Sequence, residues 1–72
     1  MNKKIEKIRI STEYITLGQF LKFSDIIHSG AEAKMYLAQN NVEVNGELEN
    51  RRGRKLRPGD VIVAEKRQFE IE

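Results

Sequence analysis

Apolar and polar residues change rhythm twice along this chain, and each change marks a different kind of element. From Lys7 to Ile10 they alternate, with Ile8 and Ile10 on one side, which predicts a short strand. From Leu17 the spacing becomes helical: Leu17, Phe20, Leu21, Ser24 and Ile27 share a face that Phe23 and Ile26 widen. Thr16 followed three residues later by Gln19 is a capping box, and Ile15 with Phe20 can staple the helix entry. Ser29 and Glu32 form a second capping box, predicting a second helix that carries Ala33, Tyr36 and Leu37 inward and closes at Asn40-Asn41. Only one or two residues are expected between the helices, which demands a sharp turn. After Asn41 the period returns to two. Val42 and Val44 lead into Asn45-Gly46, the preferred pair for a type I′ hairpin, and Glu47, Leu48 and Glu49 return. Leu56 re-enters the core, Arg57-Pro58-Gly59-Asp60 reads as a type II turn, and Val61–Ala64 is a strand. Lys66-Arg67 is the next expected turn, before a last strand with Phe69 and Ile71 alternating. The first and last strands are expected to pair. The predicted class is α+β, with two short N-terminal helices packed on a small antiparallel sheet.

Composition adds boundaries to that picture. Seventy-two residues predict one domain, 1–72, with a small core. The chain is 39% hydrophobic and 33% charged, a balance that suits a folded domain rather than a disordered tail. With no cysteine, disulfides and thiolate zinc sites are excluded. No apolar run approaches the roughly 20 residues of a membrane span, and the basic opening MNKKIEKIRI lacks the apolar stretch of a signal peptide. A cytoplasmic protein with no membrane partner is expected.

The formal net charge of +2 discriminates little, but its distribution does. Arg51, Arg52, Arg54, Lys55 and Arg57 place five cations in seven residues, with no acid between Asn50 and Gly59. Four are arginines, whose planar forks match phosphate oxygens. Such a loop either faces a polyanion or is solvated and neutralised by Glu47, Glu49 or Asp60; both readings are open on sequence alone. The start of the second helix offers a similar choice. Its amides around Gly30 and Ala31 can receive an anion, or Ser29 and Glu32 can satisfy them. Lys22 and Lys34 are isolated helix cations that matter only if they share a face with the loop. His28, the one histidine, has no ligand-spaced companions, so neither a metal site nor a catalytic role is expected. The five aromatic residues do not interleave with cations as in single-strand stacking platforms. Recognition is expected to depend on backbone shape and charge, which suits structured RNA.

The segment from Thr16 to Ile62 resembles the small RNA-binding domain named after ribosomal protein S-four. The resemblance rests on Leu17, Ser29, Ala33-Lys34, Val42-Glu43-Val44-Asn45-Gly46 and Pro58-Gly59-Asp60-Val61-Ile62, in the family's order and spacing. TLGQFLKFSDIIHSGAEAKMYL and NRRGRKL look like the short stand-alone bacterial members, of the YaaA type. The resemblance implies the alpha-L RNA-binding motif and a ribosome-associated protein that contacts rRNA in large-subunit maturation. A monomer with no cofactor is expected. No room remains for the catalytic domains of larger relatives, so no enzyme activity is expected. Carried over by position, the helix contacts are Ser29, Gly30 and Lys34, with Lys22 beside them; the loop supplies Arg51, Arg52, Arg54, Lys55 and Arg57. Thr16-Leu17-Gly18 stands where the family often has Arg-Leu-Asp, and Gly30 where an arginine often follows the serine. These departures move the expected charge from the helices to the loop. The rival readings are a protein-interaction module and an accessory subunit lending RNA binding to an enzyme in trans.

Overall fold

A computed structural model describes residues 4–72. Its elements in chain order are β1 (Ile5–Ile8), β2 (Ile15–Thr16), α1 (Leu17–Phe23), α2 (Glu32–Gln39), β3 (Glu43–Val44), β4 (Glu47–Leu48), β5 (Lys55–Leu56), β6 (Val61–Ala64) and β7 (Arg67–Ile71). The main sheet runs β1-β7-β6-β3-β4, and β2 pairs with β5 in a separate two-stranded ladder. The α+β expectation and the pairing of first and last strands hold. The wholly antiparallel sheet does not: β1 lies parallel to β7, with Ile5 opposite Gln68 and Ile8 opposite Ile71. The first strand also begins two residues earlier than the alternation suggests. Ile5 is exposed at the sheet edge, so its failure to alternate costs little. Two ion pairs hold this edge, Lys7 to Glu70 at 2.8 Å and a two-pronged Arg67 to Glu6 pair at 2.8 Å.

Helix α1 starts as predicted. Gln19 donates its amide N–H to the Thr16 hydroxyl, and the Thr16 amide donates to Gln19 Oε1, completing the capping box. It ends sooner than the apolar spacing suggests. Asp25 takes a left-handed conformation (φ 62°), Ile26 N–H reaches back to the Leu21 carbonyl, and Asp25 N–H reaches the Lys22 carbonyl. That bond pair is a Schellman motif with aspartate where glycine is usual. Ile27 is still buried, but by the chain beyond the helix. The interval between the helices is therefore residues 24–31, not a one- or two-residue turn. Helix α2 likewise begins at Glu32 rather than at Ser29, after a turn closed by Glu32 N–H to Ser29 O and Ala33 N–H to Gly30 O.

One core joins the helices to the sheet. Leu17, Phe20, Leu21, Leu56, Ile62 and Phe69 are fully buried, and Phe20 meets Phe69 edge-on with ring centres 4.9 Å apart. The two predicted glycine turns are present and are tied to each other. Asn45 and Gly46 both have positive φ (53° and 86°), as a type I′ turn requires, and Gly59 (φ 99°) takes the position that a type II turn reserves for glycine. Asn45 Oδ1 accepts from Val61 N–H, and Asn45 Nδ2 donates to Asp60, whose other carboxylate oxygen accepts from Arg57 N–H. The Asn-Gly and Pro-Gly-Asp segments are thus one hydrogen-bonded unit, and Arg57 leaves from its edge. The last hairpin turns at Glu65-Lys66, both with positive φ, so Arg67 belongs to β7 and not to the turn.

Candidate nucleic-acid interface

The basic segment lies between β4 and β5 and is held from three directions. Leu17 and Gly18, the first residues of α1, have amides with no partner inside the helix. They donate instead to the carbonyls of Arg54 (2.8 Å) and Arg52 (2.9 Å). The loop closes on itself through Arg54 N–H to Arg51 O. The third hold is Glu49, which is buried. Its carboxylate accepts from Arg51 N–H, Nε and Nη2, and from Arg54 Nη1, all between 2.9 and 3.1 Å. The Arg51 side-chain bonds, with Arg54 behind them, pull the Glu49 carboxyl down to about 2 against the opposing effect of burial.

Of the five loop cations, Arg51 and Arg54 are therefore shared with one carboxylate. Arg52, Lys55 and Arg57 make no ion pair among the described residues. Five cations against Glu49, and against the Asp60 carboxylate that accepts from Arg57 N–H, leave a local surplus of three charges. Arg51, Arg54, Lys55 and Arg57 line a single depression of about 360 Å³ with Gly53. Glycine there leaves the floor without a side chain. Arg52 does not line it.

The helix candidates are placed less uniformly. Gly18 sits where loop and helices meet: a Cβ there would be 3.5 Å from both Arg52 Cβ and Ala33 Cβ, so those two atoms are at most about 7 Å apart. The loop and the first turn of α2 are consequently neighbours, and Lys34, exposed, follows directly on Ala33. Ser29 and Gly30 are exposed as well. The Ser29 amide, however, is occupied: it and the His28 amide both donate to Glu32 Oε1 at 3.1 Å. Only this half of the second capping box forms, since no side chain caps the α2 N-terminus. Lys22 is exposed on α1.

Two features of the site escape the linear sequence. Glu49 is one of the three acids the sequence sets against the loop, as the neutralised reading allows, but nothing local says that it is the one that folds back beneath two of the arginines. Tyr14 carries no signal at all. It becomes part of the basic surface because Ile15 pairs with Leu56 and Thr16 with Lys55. Ile15 and Leu56 point into the core, so their neighbours in the ladder point outward. Lys55 Nζ lies 5.0 Å and Arg57 Cζ 5.7 Å from the centre of the Tyr14 ring, within cation–π range.

Among the described residues no group of three acids or histidines is placed to hold a metal ion, and no helix is long and apolar enough to cross a membrane. The chain is similar to the "Probable ribosome maturation protein RlbA" of Bacillus subtilis (strain 168), 59% identical over 58 residues that cover 81% of this chain and 82% of that protein. The profile of the family described as the S4 domain matches residues 8–72. A match over nearly all of the described residues, together with that relative, settles the family: the chain belongs to the S4 domain family.

Proposed function

We propose that this protein is a single RNA-binding domain that acts in ribosome maturation and holds structured RNA, in the first instance rRNA, by its phosphate backbone. The observation that carries this reading is the depression lined by Arg51, Arg54, Lys55 and Arg57, a surplus of positive charge in which a buried carboxylate fixes Arg51 and Arg54. Like charges held this close repel one another, and a polyanion lying across them relieves that repulsion. Arg52 and Lys34 extend the charge toward α2, and Lys22 adds to it from α1. The Gly30 amide contributes at the entrance of α2, where the Ser29 amide is already engaged by Glu32. The similarity to a relative named for ribosome maturation supports the same reading. No residue set suited to catalysis or to a cofactor enters it. The protein works as a cytoplasmic monomer.

The test is a salt titration of binding to folded rRNA fragments. Replacing the unpaired cations Arg52, Lys55 and Arg57 together by alanine removes three phosphate contacts. The slope of log affinity against log salt concentration should fall by about two to three units. Unchanged affinity and slope would remove the loop from the interface. Salt-sensitive capture of an acidic protein in place of RNA would move the function to protein docking.

A further inference from the structure

A second cavity is connected to the cationic surface through Tyr14 and carries no net charge. It measures about 710 Å³ and is lined by residues 9–15 with Gln19 and Phe23. Phe23 is 60% exposed and Tyr14 36%, an unusual outlay of aromatic surface on so small a domain. One acid and one base, Glu13 and Arg9, leave the cavity without net charge. Neither Lys55 nor Arg57 lines it, yet both lie against Tyr14. Tyr14 therefore links the two: it lines a cavity of no net charge, in which it and Phe23 stand among Ser11, Thr12 and Gln19, and it carries Lys55 and Arg57 over its ring. The Thr12 hydroxyl donates to the Tyr14 carbonyl at 2.8 Å and fixes this stretch of chain. Gln19 commits its Oε1 to the α1 capping box, leaving its Nε2 donors without a partner among the described residues.

From this juxtaposition we infer that the cavity takes one unpaired nucleobase of the bound RNA, stacked against Tyr14 and Phe23, while its backbone phosphates face Lys55 and Arg57. The inference rests on the RNA-binding reading above and adds to it a single-stranded element: a bulged or looped-out nucleotide next to the helical backbone. The chemistry favours a base over a phosphate, because the cavity has no surplus charge and two aromatic side chains, and bases of any identity stack on such surfaces. It favours a nucleotide over an apolar peptide because the cations stand within one side-chain reach of the same ring.

Two hairpin RNAs test it, identical except that one bulged position carries 2-aminopurine and the other an abasic sugar. Their charge is the same, so the phosphate contribution cancels. The unaltered protein should bind the base-bearing hairpin about tenfold more tightly, with 2-aminopurine fluorescence quenched on binding. Phe23→Ser should shrink that preference while affinity for the abasic hairpin stays as before; Tyr14→Leu should shrink it as well, and Tyr14→Phe should preserve it. Equal, salt-sensitive binding of both hairpins by the unaltered protein, with no quenching, overturns the base site and leaves the RNA-binding reading standing. An equal fall for both hairpins in Tyr14→Leu, with the preference intact, would make Tyr14 a support for Lys55 and Arg57 only, and also overturns the base site. Absence of salt-sensitive binding to either hairpin overturns both readings.

Discussion

Replacing Glu49 by glutamine tests whether one buried carboxylate organises the basic loop. The substitution is nearly isosteric and removes only the charge and one acceptor. In the native protein four donors converge on Glu49: the Arg51 amide, Arg51 Nε and Nη2, and Arg54 Nη1. Their contributions are unequal. The Arg51 side chain is 73% exposed, so water screens its pair with Glu49 and that pair adds little. The Arg54 side chain is 31% exposed and the Arg51 amide is a neutral donor to a charged acceptor; each is worth about 1 kcal/mol. Glutamine keeps one acceptor but turns an N–H₂ toward a guanidinium. The net loss should be about 2 kcal/mol, which for a domain of this size lowers Tm by about 8–16 °C near neutral pH. The pH dependence supplies a second, independent check. The folded-state carboxyl is pulled down to about 2, while the unfolded chain titrates near the ordinary carboxylate value. Between these two values the unfolded state binds more protons, so stability falls as pH falls. The contribution is complete above the ordinary carboxylate range and mostly gone once pH reaches about 2. Thermal unfolding followed by circular dichroism at about pH 7, 4 and 2.5 should therefore show the two proteins converging as acid is added. Equal melting at neutral pH, or a gap that stays constant down to the acid end, would refute the claim that Glu49 holds the loop.

Other substitutions probe neighbouring parts of the same framework. Asn45→Ala removes the acceptor for Val61 N–H and the donor to Asp60, and should cost about 1–2 kcal/mol in denaturant unfolding. Asp25→Gly relieves a left-handed non-glycine residue at the end of α1 and should raise Tm by a few degrees, about 0.5 kcal/mol after the entropy of glycine is counted; a lower Tm would contradict the motif. At Gly18 the space admits one carbon in ordinary contact. Gly18→Ala should be tolerated, whereas Gly18→Leu should displace the Arg52 backbone at a cost of about 1–3 kcal/mol and weaken RNA binding, read by melting and by the salt titration in parallel.

Signals in the chain predict the structure where one local interaction dominates. The Thr16–Gln19 box spans three residues, and the Asn45-Gly46 and Pro58-Gly59 turns depend on which residues accept positive φ. Such signals mislead where two local arrangements compete or where distant partners decide. Ile26 and Ile27 continue the helical spacing, but Asp25 adopts a left-handed cap that aspartate seldom takes, and the helix stops. Ser29 and Glu32 have the right spacing for a full box, yet Glu32 takes the amides of His28 and Ser29 while the serine hydroxyl does not cap, so the helix starts later. The parallel run of β1 along β7 joins opposite ends of the chain, and no local alternation encodes strand direction. The candidate site divides the same way. The cation density is visible in sequence; its partial pairing with Glu49 and its contact with Tyr14 depend on the β2–β5 ladder and on the loop folding back.

The carbonyls of Arg52 and Arg54 receive the opening amides of α1, so this arginine-rich segment is a splint as well as a charged surface. The hold on α1 runs through main-chain carbonyls, so it depends on the spacing of this segment and not on which side chains it carries. One residue added or removed between positions 51 and 54 would shift both carbonyls out of step with the helix and leave two amides bare. Variation there should come as replacement, never as a change in length.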